Sequence, residues 1–404
     1  RTIVEREGID GAESRELERP AIMEHVQDLR DVFVDRTLGV TDELDPEHLL
    51  DGYARFVDAH TLEVNGEQIS AKSIVIATGT TPVVPAAWQA FREDIITTDE
   101  VFELEDLPAS MAVIGLGSIG LELGQSISRL GVDVTGVDVV ENVAKLADPD
   151  VNRLAVDTIG KEFPLWLGAA AELEKVDGGI KVTAGNNEVI VEKVLASLGR
   201  SPNLADLGLE STGLELDDKG IPVYDPTTMQ CGDSHIYIAG DVNNDRALLH
   251  EAGHEGRVAG YNAVRQSSQR FKRKAMLGIT FCDPNIAIVG EQLDELDASE
   301  ILIGEVAFAP VGRALIMGKN RGLLRVYVNK TDGLVRGAAM ACVKGENLAH
   351  LLAWSIQQGM SVHDMLKMPF YHPVIEEALQ AALYNVVGHI EKKEEVVELE
   401  PVES

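Results

Sequence analysis

A glycine motif between a predicted strand and a predicted helix limits the possible folds of this chain more than any other feature. Met111–Gly115 has the pattern of a buried strand, and Ile119–Leu130 has the pattern of a helix. In such a G-x-G-x-x-G motif the first glycine allows a tight turn, the second admits a pyrophosphate, and the third packs helix against strand. The anion lies at the helix N-terminus. The residues of the motif are Gly115, Leu116, Gly117, Ser118, Ile119 and Gly120. We therefore predict a parallel α/β domain that binds a dinucleotide, and the alternative is a tight turn without a ligand.

An acidic residue, Asp138, ends the next predicted strand, Val132–Asp138. Its carboxylate can accept hydrogen bonds from the adenosine ribose hydroxyls and would repel a 2′-phosphate. No arginine lies between Asp138 and Asp150 to receive such a phosphate. The sequence therefore predicts NAD rather than NADP as the ligand of the motif.

Two further predicted strands run into glycine turns. Ile74–Ala77 is followed by Thr78-Gly79, and Ile236–Ile238 is followed closely by Gly240-Asp241. An aspartate at the carboxyl end of a parallel strand can hold the hydroxyl groups of a ligand. Taken alone, the first turn is an ordinary strand end, and Asp241 is equally consistent with a helix N-cap.

Two histidine patterns indicate different chemistry. His372-Pro373, followed by Glu376 and Glu377, is typical of a helix start with proline in the first helical position. The same residues also fit an imidazole base oriented by a carboxylate one turn further on. His250–His254 satisfies the H-E-x-x-H zinc pattern. The glycine inside that pattern weakens the required helix, and no third ligand stands out downstream, so we predict no metal site.

The composition excludes several classes of function. The 35 Lys and Arg residues against 67 Asp and Glu residues give a net charge of −32, which repels nucleic acid. No apolar run approaches the ~18 residues that a membrane span needs, and no signal peptide is evident. The cysteines Cys231, Cys282 and Cys342 have neither disulfide nor metal spacing. We expect three reduced thiols in a cytoplasmic protein.

Taken together and in this order, the motifs resemble the disulfide oxidoreductase flavoproteins, most closely those of the dihydrolipoyl dehydrogenase type. The matching stretches are Ile76–Pro82, Val113–Gly124, Leu198–Asn203, Ile236–Asp241, Phe281–Pro284 and Tyr371–Glu377. The resemblance implies an α/β fold with two Rossmann-like dinucleotide-binding domains, of which the FAD part is incomplete and the NAD part complete. It also implies a carboxyl-terminal α+β dimerisation domain.

The resemblance implies the following domain boundaries. The FAD-binding domain covers residues 1–108 without its first βαβ unit, and the NAD-binding domain covers 109–200. The chain returns to the FAD-binding domain over 201–270, and the dimerisation domain covers 271–390. Residues 391–404 form an acidic tail.

The resemblance also implies roles for individual residues. Those implied to contact FAD are Ala54, Thr78, Gly79, Thr80, Gly240, Asp241, Ala247, Leu248, Leu249 and His250. Those implied to contact NAD are Gly115, Leu116, Gly117, Ser118, Ile119, Gly120, Glu122, Asp138 and Gly199. His372 is implied to be the catalytic acid/base and Glu377 to orient it. Because this histidine serves the partner subunit in such enzymes, a homodimer is implied.

The implied reaction passes electrons from a dithiol through a redox disulfide and FAD to NAD+. We expect the parent protein to oxidise dihydrolipoamide, presented by a lipoyl-bearing protein or as a small disulfide substrate. The family's first glycine motif and its C-x4-C pair are absent from residues 1–404, and Arg1 is not Met. We therefore expect an amino-terminally truncated chain that is itself inactive.

Some alternatives stay open at this point. The family's His-Pro-Thr is His372-Pro373-Val374 here, which leaves the disulfide substrate undecided. Other members act on glutathione, on mercuric ion or between pyridine nucleotides. A truncated, non-catalytic dimerisation or binding subunit is the alternative of another class.

Overall fold

A computed structural model of the chain describes residues 18–393 and 397–399. The chain divides into two compact units. The larger unit consists of Pro85–Ser197 with the described parts of Arg1–Ala21 and Lys274–Ser404, and the smaller unit consists of Ile22–Val84 and Leu198–Arg273. None of the described helices is both long and apolar enough to cross a membrane.

The strands and helices of the described residues are numbered along the chain. The strands are β1 (Ala54–Asp58), β2 (Thr61–Val64), β3 (Glu67–Ser70), β4 (Ile74–Ile76), β5 (Thr80–Pro82), β6 (Ile95–Ile96), β7 (Ser110–Ile114), β8 (Asp133–Val137), β9 (Leu165–Trp166), β10 (Glu172–Val176), β11 (Gly179–Ala184), β12 (Asn187–Val191), β13 (Lys193–Ala196), β14 (Arg200–Pro202), β15 (Ile236–Ile238), β16 (Leu277–Thr280), β17 (Asn285–Gly290), β18 (Ile301–Ala307), β19 (Leu323–Asn329) and β20 (Val335–Cys342). The α-helices are α1 (Arg19–Asp42), α2 (Thr98–Val101), α3 (Ser118–Arg129), α4 (Pro149–Ile159), α5 (Leu249–Ala263), α6 (Gly312–Ile316), α7 (Gly345–Gln358), α8 (Val362–Leu366) and α9 (Glu377–Val387).

The larger unit contains a five-stranded parallel sheet in the order β6-β13-β7-β8-β9. Its central strand β7 is buried throughout Met111–Ile114, as expected for a parallel strand covered on both faces. α3 connects β7 to β8, which provides the crossover that parallel pairing requires. The strand, helix and strand predicted over residues 111–138 are therefore confirmed, with ends that differ by about one residue.

An antiparallel sheet of β10, β11 and β12 follows in the same unit. The sequence pattern of Ile180–Thr183 and Glu188–Val191 predicts a hairpin, and β11 and β12 form it. Strand β10 could not be predicted from the sequence, because three of its five residues are exposed and no apolar alternation marks it.

The carboxyl-terminal part of the larger unit is an α+β arrangement, as predicted. Its antiparallel sheet has the order β16-β17-β20-β19-β18, and α7 and α9 pack on it. Leu348 and Leu352 of α7, and Leu379 and Leu383 of α9, are buried at a spacing of four residues. This spacing gives each helix one apolar face toward the sheet.

The smaller unit has a two-stranded parallel sheet, a three-stranded antiparallel sheet of β1, β2 and β3, and a two-stranded antiparallel sheet of β5 and β14. β15 pairs with β4 in parallel, from Ile236↔Ile74 to Ile238↔Ile76. Asn65-Gly66, flanked by Thr61–Val64 and Gln68–Ala71, predicts a hairpin from the sequence. The antiparallel pairing of β2 with β3 confirms it, and both turn residues have positive φ, 53° and 84°. The apolar spacing within residues 1–51 also predicts a helical region. Its described part contains α1, whereas residues 1–17 lie outside the described residues. Most of the predicted acidic tail also lies outside them.

A buried ionic network joins the start of α4 to β19 in the larger unit. Asp148, the N-cap of α4, accepts hydrogen bonds from the backbone N–H groups of Asp150 and Val151 at 3.0 and 3.2 Å. It also accepts from Arg325 Nη1 at 2.7 Å and from Tyr327 Oη at 2.8 Å. Because the Asp148 side chain is 0% exposed, Arg325 supplies the charge that makes its burial tolerable.

Replacing Arg325 by methionine should lower the free energy of unfolding by about 3 kcal/mol, because a buried carboxylate then loses its charge partner. Arg153→Met is the matched control. Arg153 pairs with Asp150, and its side chain is 71% exposed, so we expect a loss below about 0.5 kcal/mol. Urea denaturation of both variants measures the difference, and equal losses would contradict the role assigned to Arg325.

Candidate functional site

The predicted dinucleotide motif lies at the carboxyl end of β7 and opens α3. Gly115 has φ +95°, a conformation that glycine adopts without strain. A Cβ on Gly117 would meet nothing within 4 Å, whereas a Cβ on Gly120 would lie 1.8 Å from the Gly115 carbonyl oxygen. The open space above Gly117 suits the approach of a pyrophosphate, and the close packing at Gly120 lets the helix lie against the strand only with glycine there.

Asp138 is placed beside the glycine loop, immediately after β8. Its Oδ2 accepts a hydrogen bond from the Leu116 N–H at 2.6 Å, and its Oδ1 accepts from the Val140 N–H at 3.1 Å. The prediction for Asp138 concerned only the ribose of NAD. The structure adds a second role, since this carboxylate also holds the backbone of the loop.

Replacing Asp138 by alanine should weaken NADH binding about tenfold more than NADPH binding. The change removes an acceptor for the ribose hydroxyls and also the repulsion of a 2′-phosphate. Fluorescence titration with both nucleotides measures the ratio of the two dissociation constants. Asp133→Ala removes the same charge from the exposed start of β8 and should leave the ratio unchanged. An equal shift in both variants would mean that net charge alone sets the preference.

Polar contacts attach α3 to the last residue of β16 and to the residue that follows it. The Ser118 and Thr280 hydroxyl oxygens are 2.7 Å apart, and Glu122 Oε1 accepts the Phe281 N–H at 2.7 Å. Burial raises the pKa of Glu122 above its ordinary value, against the effect of the Phe281 bond, so this carboxyl retains its proton to higher pH. Glu122 was predicted to contact the nucleotide, whereas Thr280 was not. The only sequence signal for Thr280 is that it directly precedes the matching stretch Phe281–Pro284.

The two glycine turns of the smaller unit are brought together by the pairing of β4 with β15. Both turns follow the carboxyl ends of these parallel strands, and the Ala239 N–H donates to the Ile76 carbonyl at 3.0 Å. Gly79 and Gly240 have φ +66° and +81°, and a Cβ on Gly79 would meet nothing within 4 Å. The Asp241 carboxylate has no hydrogen-bond partner within residues 18–393 and 397–399. An open backbone turn and an available carboxylate therefore share one end of the sheet.

Two residues that the sequence analysis did not single out hold the first of these turns. Thr78 Oγ1 donates to the Asn203 carbonyl at 2.8 Å, and Asn203 Nδ2 donates to the Thr78 carbonyl at 2.9 Å. Arg200 Nε donates to Thr80 Oγ1 at 2.8 Å. The threonine hydroxyls are thus engaged within the protein, so the turn offers a ligand mainly its backbone. The signal for Arg200 and Asn203 was the matching stretch Leu198–Asn203.

The other residues predicted to bind a cofactor lie outside the glycine loop and the two glycine turns. Gly199 belongs to the smaller unit, where its carbonyl accepts the Val83 N–H at 3.0 Å, whereas the other residues predicted for NAD lie in the larger unit. Ala54 is exposed at the start of β1. The last four predicted residues, which lie at or just before the start of α5, are Ala247, Leu248, Leu249 and His250. The Leu249 side chain is 91% exposed.

The zinc-like pattern has another explanation in the structure. Glu251, its central carboxylate, is buried and pairs with Arg246 Nη1 at 3.2 Å. Throughout the described part of the chain, no group of three His, Cys, Asp or Glu side chains is arranged to hold a metal ion.

His372 lies in the loop that precedes α9. Its Nδ1 is 2.8 Å from Glu377 Oε1, and Glu377 Oε2 accepts the Val374 N–H at 3.0 Å. The hydrogen bond with His372 lowers the pKa of Glu377, and the Val374 bond adds to this effect. The His372 side chain is 82% exposed. Glu377 therefore orients an accessible imidazole.

The prediction that Pro373 occupies the first helical position is wrong. α9 begins at Glu377, with Glu376 as its N-cap. The Val374 N–H is bonded to the Glu377 side chain rather than pointing along a helix axis, so this carboxylate closes a loop before the helix begins.

The two candidate nucleotide sites and the histidine–glutamate pair are the features expected of a nucleotide-dependent oxidoreductase, and comparison with known proteins shows the family. The model "Pyridine nucleotide-disulphide oxidoreductase" matches residues 8–256, and the dimerisation-domain model of the same group matches residues 276–383. The chain belongs to the pyridine nucleotide-disulphide oxidoreductase family, whose members use FAD and NAD(P). Its fold and the dimerisation domain are those predicted from the sequence.

The relatives that resemble this chain are named for different enzymatic activities. The dihydrolipoyl dehydrogenase of Haloferax volcanii is 30% identical over 389 residues, covering 91% of this chain and 81% of that protein. The mercuric reductase of Staphylococcus aureus is 31% identical over 326 residues, covering 78% of this chain and 59% of that protein. The crystal structure of LpdA from Mycobacterium tuberculosis has a TM-score of 0.80 at 22% identity and covers 92% of this chain and 84% of that one. The last similarity concerns the fold alone.

Proposed function

We propose that this chain provides the NAD-binding part, the acid/base pair and part of the FAD site of a dihydrolipoyl dehydrogenase, which oxidises dihydrolipoamide with NAD+ as acceptor. The observation that carries the proposal is the contact of His372 Nδ1 with Glu377 Oε1 at 2.8 Å beside an otherwise exposed imidazole. Asp138 next to the glycine loop supports NAD as the nucleotide. The relative from Haloferax volcanii supports dihydrolipoamide as the substrate.

The histidine–glutamate pair is suited to moving a proton. When Glu377 accepts a hydrogen bond from the Nδ1–H group, Nε2 carries the lone pair of the neutral imidazole and can take a proton from a substrate thiol. The ionised Glu377 also stabilises the imidazolium that this transfer forms, as a buried or oriented carboxylate does for histidine bases in general. In the reverse direction, the imidazolium returns the proton to a leaving thiolate.

The cysteines of this chain do not fit the redox disulfide that this reaction needs. Cys231, Cys282 and Cys342 are buried and unpaired. Burial raises the pKa of the Cys231 and Cys282 thiols to about 12 and raises that of Cys342 as well. Since the thiolate is the nucleophile, the proposal requires cysteines other than these three.

The proposed cofactors fit the residues present. Backbone N–H groups at the start of α3, with Gly117 open above them, would hold the NAD pyrophosphate. Asp241 and the open turn at Gly79 would hold part of FAD. When bound, FAD accepts two electrons from the reduced disulfide and supplies a hydride to NAD+.

We further propose a homodimer in which His372 serves the active site of the partner subunit, together with a lipoyl-bearing protein as the substrate carrier. The dimerisation-domain match includes His372, and Tyr371 beside it is 79% exposed. On this proposal residues 109–200 bind NAD, residues 1–108 and 201–270 contribute to the FAD domain, and residues 271–390 form the dimer. Three free thiols suit a reducing compartment, so we propose a cytoplasmic location.

The test measures electron transfer by the protein purified from its native source. We expect it to reduce NAD+ with dihydrolipoamide, and we expect NADH to reduce neither glutathione disulfide nor mercuric ion. A preference for glutathione disulfide or mercuric ion over lipoamide would contradict the proposal.

A further inference from the structure

A buried glutamate holds the second glycine turn of the smaller unit from behind. Glu255 of α5 is 1% exposed. Its Oε2 accepts the Gly240 N–H at 2.9 Å and Asn243 Nδ2 at 2.6 Å. Its Oε1 accepts Arg273 Nη2 at 2.5 Å. Both oxygens of this carboxylate are therefore engaged within the protein.

The charge of Glu255 is compensated locally. Arg273 pairs with Glu255 and also with Asp245, and burial of an unpaired carboxylate would be strongly unfavourable. Burial raises the pKa of Glu255, while the Gly240 bond and Arg273 act in the opposite direction. The ion pair with Arg273 thus stabilises the ionised form of Glu255 against the effect of burial.

The contacts of Glu255 lie on either side of Asp241. Gly240 precedes Asp241 and has φ +81°. Asn243 follows it, and the Asn243 N–H donates to the Gly240 carbonyl at 3.0 Å. Glu255 therefore fixes the chain on both sides of Asp241, while the Asp241 carboxylate itself keeps no partner within the described residues.

We infer that Glu255 is a positioning residue for the FAD site, which holds the turn at Gly240 so that the Asp241 carboxylate stays available to the ribityl or ribose hydroxyls of the cofactor. The inference rests on the proposed function, in which Asp241 binds FAD. We do not infer any contact between Glu255 and the cofactor itself.

A matched control lies one helical turn earlier. Glu251 is also 1% exposed and also pairs with arginines, with Arg246 at 3.2 Å and with Arg273 at 3.5 Å. It makes no hydrogen bond to the turn in the described structure. Glu251→Ala and Glu255→Ala therefore remove equally buried carboxylates from one face of α5, and only the second removes the support of Gly240.

Hydrogen exchange measured by mass spectrometry tests the positioning directly and without a cofactor. In Glu255→Ala, we expect amides of residues 238–245 to exchange about tenfold faster than in the unaltered protein, because a buried hydrogen bond to a charged acceptor is lost. In Glu251→Ala, we expect exchange in this segment to stay unchanged. Equal acceleration in both variants, or none in Glu255→Ala, would overturn the inference.

FAD binding supplies the second measurement. We expect Glu255→Ala to raise the FAD dissociation constant about tenfold or more, and Glu255→Gln to recover part of the loss, because its amide oxygen can still accept the Gly240 N–H. Glu251→Ala should bind FAD as the unaltered protein does. If Glu255→Ala binds FAD normally, the inference fails alone. If the unaltered native protein binds no FAD, the proposed function fails, and the exchange experiment still decides whether Glu255 holds the turn.

Discussion

Gly117→Ala should lose about hundredfold in affinity for NADH while unfolding at the same urea concentration as the unaltered protein. Gly117 has φ −67° and ψ −171°, which any L-residue adopts. An added Cβ would meet nothing within 4 Å, so the fold tolerates it. The same methyl group would occupy the space through which a pyrophosphate reaches the N-terminus of α3 and would displace its charge-assisted hydrogen bonds.

Gly120→Ala should mainly lower the stability of the protein, whereas Gly117→Ala mainly lowers its affinity for NADH. Its Cβ would lie 1.8 Å from the Gly115 carbonyl oxygen and 2.7 Å from Ser197 Oγ, so the helix must move away from the strand. We expect a loss of about 3 kcal/mol in the free energy of unfolding, with NADH binding reduced as a consequence. Urea denaturation and NADH fluorescence titration, applied to both variants, separate the two effects.

Gly260→Ala is the control for adding a methyl group to a helix. A Cβ at Gly260 of α5 would meet nothing within 4 Å, so we expect stability unchanged or raised by about 0.5 kcal/mol. The assignment of the motif fails if Gly117→Ala binds NADH as tightly as the unaltered protein. The packing argument fails if Gly120→Ala is as stable as Gly260→Ala.

The parts of the fold that follow from local sequence could be predicted. The turn at Asn65-Gly66 needs two residues that tolerate positive φ, and the motif at Gly115–Gly120 needs glycine for three separate steric reasons. Both signals lie within a few residues of the feature that they specify. For the same reason, the ends of β7, α3 and β8 are predicted to about one residue.

Contacts between distant residues could not be predicted in the same way. Asp138 holds the Leu116 N–H 22 positions away, and Ser118 meets Thr280 162 positions away. No periodicity links such pairs, because their contact depends on how whole elements pack. The resemblance to a family supplied the functional names of several residues, but it did not single out Thr280, Arg200 or Asn203 as residues that hold a turn or a loop.

The start of α9 illustrates a local rule that led to the wrong result. Proline followed by acidic residues is typical of a helix N-terminus, and His372–Glu377 has that pattern. The structure uses Glu377 differently, since its two oxygens engage His372 and Val374. The carboxylate thus serves the imidazole, and the local preference for a helix gives way at a candidate catalytic site.

His372→Gln should lower dihydrolipoamide oxidation by the native protein about a thousandfold, because the change removes the proton acceptor but retains a polar side chain of similar reach. Stopped-flow reduction of the bound flavin by dihydrolipoamide isolates the step that needs this proton transfer. Oxidation of the reduced enzyme by NAD+ does not need the histidine and should proceed at its unaltered rate. A variant slowed equally in both steps would show a general structural defect instead.

Glu377→Gln should reduce the same step about tenfold, whereas Glu376→Gln should leave it unchanged. The hydrogen bond with His372 lowers the pKa of Glu377, so its charge is present above the ordinary carboxyl pKa and is lost only as pH falls through the lower value of the folded protein. The unaltered enzyme should therefore show no inflection from Glu377 between about pH 5 and 9. In Glu377→Gln the imidazolium that forms on proton transfer loses the adjacent charge that stabilises it, so the step slows.

Glu376 is the N-cap of α9 without a side-chain hydrogen bond there, which makes it a control for charge alone. If both variants slow the step equally, the general field of the helix start, and not the 2.8 Å contact with His372, governs the base.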